Sequence, residues 1–208
     1  MPAHLPPLRH SEPIASTVSE AGNSRPVCIL DSALAGRFAG FSTIHHELLT
    51  AQEMVARACA ENDRLIVSAL WRTSVAMYAR CFAETGRGMP KLEVDDHLLG
   101  ASSDQLELHR TLLDIRHNFL SHAGSSEVWR QSAQVMLQDP AIGRGVYAVF
   151  AGQTVRSVPP PEELTALSAL FAIVAGNVQT SMTKAYERLK AEVAEMNLED
   201  LYARATGA

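Results

Sequence analysis

Leu106-Glu107-Leu108-His109-Arg110-Thr111-Leu112-Leu113-Asp114-Ile115-Arg116-His117-Asn118-Phe119-Leu120-Ser121-His122-Ala123-Gly124 is the stretch on which the fold turns. Placed on a helix at about 100° per residue, it gathers Leu108, Leu112, Leu113, Ile115, Phe119 and Leu120 on one broad apolar arc. Arg116 falls within that arc, and His109 shares it. A buried charge needs an anionic or hydrogen-bonding partner, because leaving it unpaired costs several kcal/mol, roughly. His122 stands at the edge of the arc, one turn after Asn118 and so beside it on the surface. Ala123-Gly124 reads as a helix stop, since Gly takes the left-handed conformation readily. His122 is thereby expected near a helix C-terminus, where the macrodipole favours its charged form.

Ahead of this helix the same periodicity recurs. Ser42 is an expected N-cap, and Ile44, Leu48, Leu49, Met54, Val55 and Cys59 keep a helical spacing to about Glu61. Asn62 or Asp63 then caps a second helix through Leu65, Ala69, Ala79 and Phe82, broken by Gly86-Arg87-Gly88. Trp71 and Tyr78 give it a second apolar seam, as a helix packed against two neighbours requires. The link from Met89 to Ala101 carries Pro90 and the acids Glu93, Asp95 and Asp96. Ser102 with Gln105 forms a capping box for the central helix.

Beyond Gly124 the period changes. Trp129, Ala133, Val135 and Leu137 alternate with Arg130, Ser132, Gln134 and Gln138, the pattern of a half-buried strand. Asp139-Pro140 and Gly143-Arg144-Gly145 supply turn chemistry, and Val146 to Val155 reads as a return strand, apolar on both faces and covered by a helix or a partner. Pro159-Pro160-Pro161-Glu162 leads into the longest helix, with Leu167, Phe171, Val174, Val178, Met182, Tyr186, Leu189, Val193 and Met196 at three-four spacing. Its apolar first half, Leu164 to Val178, is too short and too interrupted by Ser168 and Asn177 to span a bilayer, and Gly176 marks an expected bend.

The fold class expected is mainly α, an antiparallel bundle of four main helices with a β-hairpin insertion at about 127–157 between the last two long ones. Residues 1–25, rich in Pro, Ser and Ala, read as a disordered tail, and 26–208 as one domain. Val27 to Leu30 is either a short strand or an extended lead. With 23 acidic and 18 basic residues the chain has a formal charge of −5, which excludes a broad footprint for duplex nucleic acid and leaves room for a small basic site. Cys28, Cys59 and Cys81 include no close pair and read as reduced thiols of a cytoplasmic protein with no membrane association.

Arg116-His117-Asn118-Phe119-Leu120-Ser121-His122 resembles the signature of the HEPN superfamily: an arginine, a polar residue directly after it, and a histidine within the next turn or two. Tyr78-Ala79-Arg80-Cys81-Phe82 also resembles what small bacterial HEPN-like proteins carry in the preceding helix. The resemblance covers roughly residues 42–124 and the last long helix. It implies a metal-independent endoribonuclease without cofactor, acting on RNA as a toxin or antiphage effector, with an antitoxin or regulatory protein as a further partner. It also implies a homodimer with its site shared across the interface. His122 would be general acid or base and Arg116 the clamp on the charge at phosphorus, with His117, Asn118 and His109 binding or orienting. RNA carries its own nucleophile in the 2′-hydroxyl, so such a set suffices. Family toxins paired with a nucleotidyltransferase antitoxin often carry a tyrosine two residues after the histidine, where this chain has Gly124.

Two rival readings remain. In one the chain is a non-catalytic helical dimerisation or regulatory module, with Arg116 held in a structural ion pair. In the other, Asp95, Asp96 and His97 hold a metal for a hydrolase. His45-His46-Glu47 lacks the second histidine of a zincin helix and reads as surface, and Gly143-Arg144-Gly145 lacks the Lys-Ser/Thr of a phosphate loop.

Overall fold

The computed structural model describes residues 18–20, 23–25, 27–83, 90–117, 129–142, 144–155 and 159–205. Within them the chain is mainly helical. Two short strands, β1 (Val18–Glu20) and β2 (Asn23–Arg25), pair antiparallel and precede α1 (Ala33–Ala60), α2 (Arg64–Cys81), the single turn α3 (Val94–His97) and α4 (Ser103–Ile115). The hairpin of β3 (Trp129–Leu137) and β4 (Val146–Val155) follows, then α5 (Pro161–Ala194) and α6 (Leu198–Arg204). The expected tail is thus described only at its end, where β1 and β2 meet.

Local chemistry sets most of the helix starts. The Asp63 carboxylate accepts from Leu65 N–H at 2.8 Å and Ile66 N–H at 3.4 Å, capping α2. At α4 the expected capping box is complete: Gln105 N–H donates to Ser102 Oγ at 3.3 Å, and Ser102 N–H to Gln105 Oε1 at 2.9 Å. Pro161 opens α5 with Glu162 and Glu163 in its first turn. The start of α1 is a correction. The helix is capped by Ser32, whose Oγ accepts from Ala35 N–H at 3.1 Å, and Ser42 is an exposed residue inside it. The apolar stripe simply continues upstream through Phe41 to Ala35.

The core is shared by α1, α2, α4 and α5. Leu48, Val55, Trp71, Tyr78, Leu112, Leu167, Phe171, Val174 and Val178 are all fully buried in it. Each such aliphatic or aromatic side chain contributes about 1.5–3 kcal/mol on removal from water. α1 lies along α5 for most of its length and along α2 on another side. Pro161–Ala194 is long and apolar enough to cross a membrane by length and composition, but its buried residues pack on α1 and the core. Asn177, the polar break in its apolar half, donates through Nδ2 to the carbonyls of His97 and Leu99, each at 3.1 Å, and so fastens α5 to the turn after α3. Gly100, at φ 85°, lets that turn reverse before α4 begins.

The expected hairpin forms, with Ala133 opposite Ala151 and a bulge at Met136/Leu137. Its burial differs from expectation. Val135 and Leu137 were to face a core, yet they are 54% and 70% exposed, and Val146, Tyr147 and Val149 are exposed as well. The two strands bond to each other, and no hairpin residue of described burial joins the core. Alternation records which side chains share a face; it does not say that this chain covers that face.

Candidate functional site

α4 delivers the site residues. His109, Leu112 and Ile115, at three-residue spacing, point into the core, and the α-helical geometry ends at Ile115. Arg116 and His117 occupy a wider π-helical turn at that end, a feature found frequently at functional positions. Arg116 is half-buried and His117 exposed. Among the described residues no carboxylate comes within 4.0 Å of the Arg116 guanidinium. The ion pair required by the structural reading of Arg116 is therefore not formed there. Asn118 and His122, like Phe119 and the stop at Ala123-Gly124, lie outside the described residues.

His109, expected to bind or orient a substrate, is a core residue instead. It is 3% exposed, and its Nδ1 lies 2.9 Å from the Tyr78 hydroxyl. The Phe82 ring meets the imidazole edge to face at 4.6 Å, while Tyr78 stacks on Phe171 at 4.7 Å. Burial first, and the nearby Arg110 second, lower the His109 pKa from its ordinary value. The neutral ring serves as one end of a buried hydrogen bond. Leu112, on the same apolar arc as Arg116, is also fully buried within its own protomer.

The other candidates also find structural roles. Glu47 takes an ion pair from Arg80, joining α1 to α2, so the resemblance-bearing Arg80 and the Glu47 of the His45-His46-Glu47 run belong to that contact. Cys81 beneath it is buried, and burial together with the Glu47 carboxylate pushes its thiol up to about 12. Asp95, Asp96 and His97 do not converge. The aspartates are exposed, whereas His97 is 4% exposed, with Nδ1 at 3.2 Å from Glu93 N–H and Nε2 at 3.4 Å from Ser181 Oγ. Among the described residues no group of three His, Cys, Asp or Glu side chains is arranged to hold a metal.

One feature escaped the sequence reading. A cleft of about 460 Å³ opens between α1, α3 and α5, and its lining includes the cations Arg37, Lys184 and Arg188 together with Asp95 and Asp96. Lys184 and Arg188 are one turn apart on α5, a spacing visible in the sequence, but Arg37 precedes the start expected for α1.

No protein-family model, curated protein or solved structure matches this chain.

Proposed function

We propose that the protein is a HEPN-like endoribonuclease whose helices form a four-helix antiparallel bundle and whose site is built on the C-terminal end of α4. The observation that carries this reading is Arg116: a half-buried arginine in a π-helical turn, beside an exposed histidine, with no carboxylate within 4.0 Å among the described residues. An arginine with no carboxylate partner among the described residues is available to an anion from outside, and its planar fork suits phosphate.

The chemistry follows from RNA itself. The 2′-oxygen attacks the adjacent phosphorus and loses its proton, the bond from phosphorus to the 5′-oxygen breaks, and that oxygen takes up a proton. A 2′,3′-cyclic phosphate and a free 5′-hydroxyl result. His122 moves a proton as general base or acid, Arg116 neutralises the charge that builds on the phosphoryl oxygens, and His117 and Asn118 orient the phosphate. No metal or other cofactor is invoked, and the biological setting is that of a toxin or antiphage effector in the cytoplasm, held in check by an antitoxin or regulatory protein.

The test is incubation of the purified protein with structured and single-stranded RNAs in excess chelator. Cleavage to 2′,3′-cyclic phosphate ends supports the reading; intact RNA across diverse substrates rejects it.

A second reading, a non-catalytic dimerisation or regulatory module, has its own observation. The apolar side chains of Val135, Leu137, Val146 and Val149 stand exposed on the hairpin, an arrangement that suits a protein partner. Both readings expect a homodimer. Light scattering at micromolar concentration decides that point, and a monomer removes the composite site.

A further inference from the structure

We propose that the cleft between α1, α3 and α5 is a binding site for a small phosphate monoester whose other end carries hydroxyl groups, as a sugar phosphate does. Arg37 comes from α1, Lys184 and Arg188 from α5, and all three line one volume of about 460 Å³, within the range of roughly 300–1,000 Å³ typical of small-molecule sites. Among the described residues none of these cations has a carboxylate within 4.0 Å, although Asp95 and Asp96 line the same cleft. Cations and carboxylates thus line one cleft without forming an ion pair among the described residues.

Like charges that line one cleft repel, and folding gains nothing from them unless an anion comes between them. Arg37 is oriented without a counterion: its guanidinium carbon sits 5.5 Å from the centroid of the buried Phe41 ring. The floor is fixed too. Ser181 in the wall contacts the buried His97 at 3.4 Å, and Asn177 ties α5 to the carbonyls of His97 and Leu99. A rigid floor lowers the ordering cost of binding.

The division of charge selects the ligand. Three cations take a doubly charged phosphate with charge-assisted hydrogen bonds. Asp95 and Asp96 repel a second anionic group and accept hydrogen bonds from hydroxyls. An extended polyanion is disfavoured by those carboxylates, whereas a compact molecule with one charged end and one hydroxylated end engages both kinds of residue. This site is separate from the proposed nuclease centre, since Arg116 lies at the far end of α4, a helix of 13 residues and so about 20 Å long.

Isothermal titration with ribose 5-phosphate, inorganic phosphate and ribose as probes tests the assignment. Ribose 5-phosphate should bind with submillimolar affinity, inorganic phosphate at least tenfold more weakly, and ribose not measurably. Lys184→Ala with Arg188→Ala should weaken ribose 5-phosphate at least tenfold, with the melting temperature used to confirm the fold. Asp95→Asn with Asp96→Asn should narrow the gap between the two phosphates. Arg116→Ala should bind as wild type whether or not the protein cuts RNA, which keeps this result independent of the nuclease reading. Absence of ribose 5-phosphate binding at about 10 mM, or undiminished binding by the Lys184/Arg188 double variant, overturns the proposal. So does a single-stranded RNA oligomer that occupies the cleft and is not displaced by ribose 5-phosphate.

Discussion

Gly40 and Pro90 meet so closely that a Cβ on Gly40 would lie 2.1 Å from Pro90 Cδ. The proline of the link between α2 and α3 is thus seated on the backbone of α1, at the one helical position where no side chain stands in its way. Gly inside a helix costs up to about 1 kcal/mol relative to Ala, and here the cost is offset by the contact it permits.

Gly40→Ala is therefore expected to destabilise the protein by about 1–3 kcal/mol, despite the gain in helix propensity. Gly176→Ala serves as the control. A Cβ at Gly176 would have nothing within 4 Å, and that change should be neutral or stabilising by up to about 1 kcal/mol. Urea unfolding of both variants checks the pair; equal responses would refute the contact.

The buried pair of Tyr78 and His109 makes stability depend on pH. The folded-state pKa of His109 lies below its unfolded value of about 6.5. Its contribution is therefore fully present above about pH 6.5 and is lost as pH falls toward the folded pKa, because only the unfolded chain takes up the proton. The slope from this one group is at most about 1.4 kcal/mol per pH unit. Melting curves between pH 7.5 and about pH 5 should fall more steeply for wild type than for a Tyr78→Phe/His109→Leu variant, which removes the titrating ring with its partner. Parallel curves would show that His109 is not the group responsible.

Cysteine reactivity should follow burial and charge. Cys81 is buried next to the Glu47 carboxylate with its pKa pushed up to about 12, while Cys59 is exposed. The thiolate is the reactive species. Under native conditions iodoacetamide should label Cys59 first, with Cys81 modified only on unfolding, as read by mass spectrometry of the peptides. Native labelling of Cys81 at the rate of Cys59 would contradict the packing of α1 on α2.

Arg116→Ala and Leu112→Ala should separate function from stability. Truncating fully buried Leu112 is expected to cost about 2–5 kcal/mol. Removing Arg116 strands no carboxylate among the described residues, so the melt should stay within about 0.5 kcal/mol of wild type while RNA cleavage is abolished. His122→Ala should abolish cleavage too. A large loss of stability in Arg116→Ala would return Arg116 to a structural role.

Much of this architecture was legible because it is written locally. Asp63, the Ser102/Gln105 box, Pro161 and the alternation of Trp129 to Leu137 act within a few residues of themselves, so a reader of the chain alone finds α2, α4, α5 and the hairpin. The end of α4 was not legible: the three-four spacing of the leucines carries Arg116 in a helix that runs on to Ala123-Gly124, whereas α4 ends at Ile115. Nor was the start of α1. Gly40 looks like a break in a helical pattern, and only the seat it leaves for Pro90, far along the chain, explains it within a helix.

Sequence by itself determined the helical class, the capped starts of α2, α4 and α5 and the presence of the hairpin, because propensity, capping and periodicity are short-range interactions. Tertiary structure alone decided that His109 turns inward to Tyr78, that Leu112 is spent on its own protomer's core, and that Val135, Leu137, Val146 and Val149 of the hairpin stand uncovered. It alone brought Arg37 to Lys184 and Arg188 across one cleft. Which residues end up buried or facing each other depends on how amphipathic helices dock. Docking is settled by contacts between residues distant in sequence, and these leave no periodic trace in the chain.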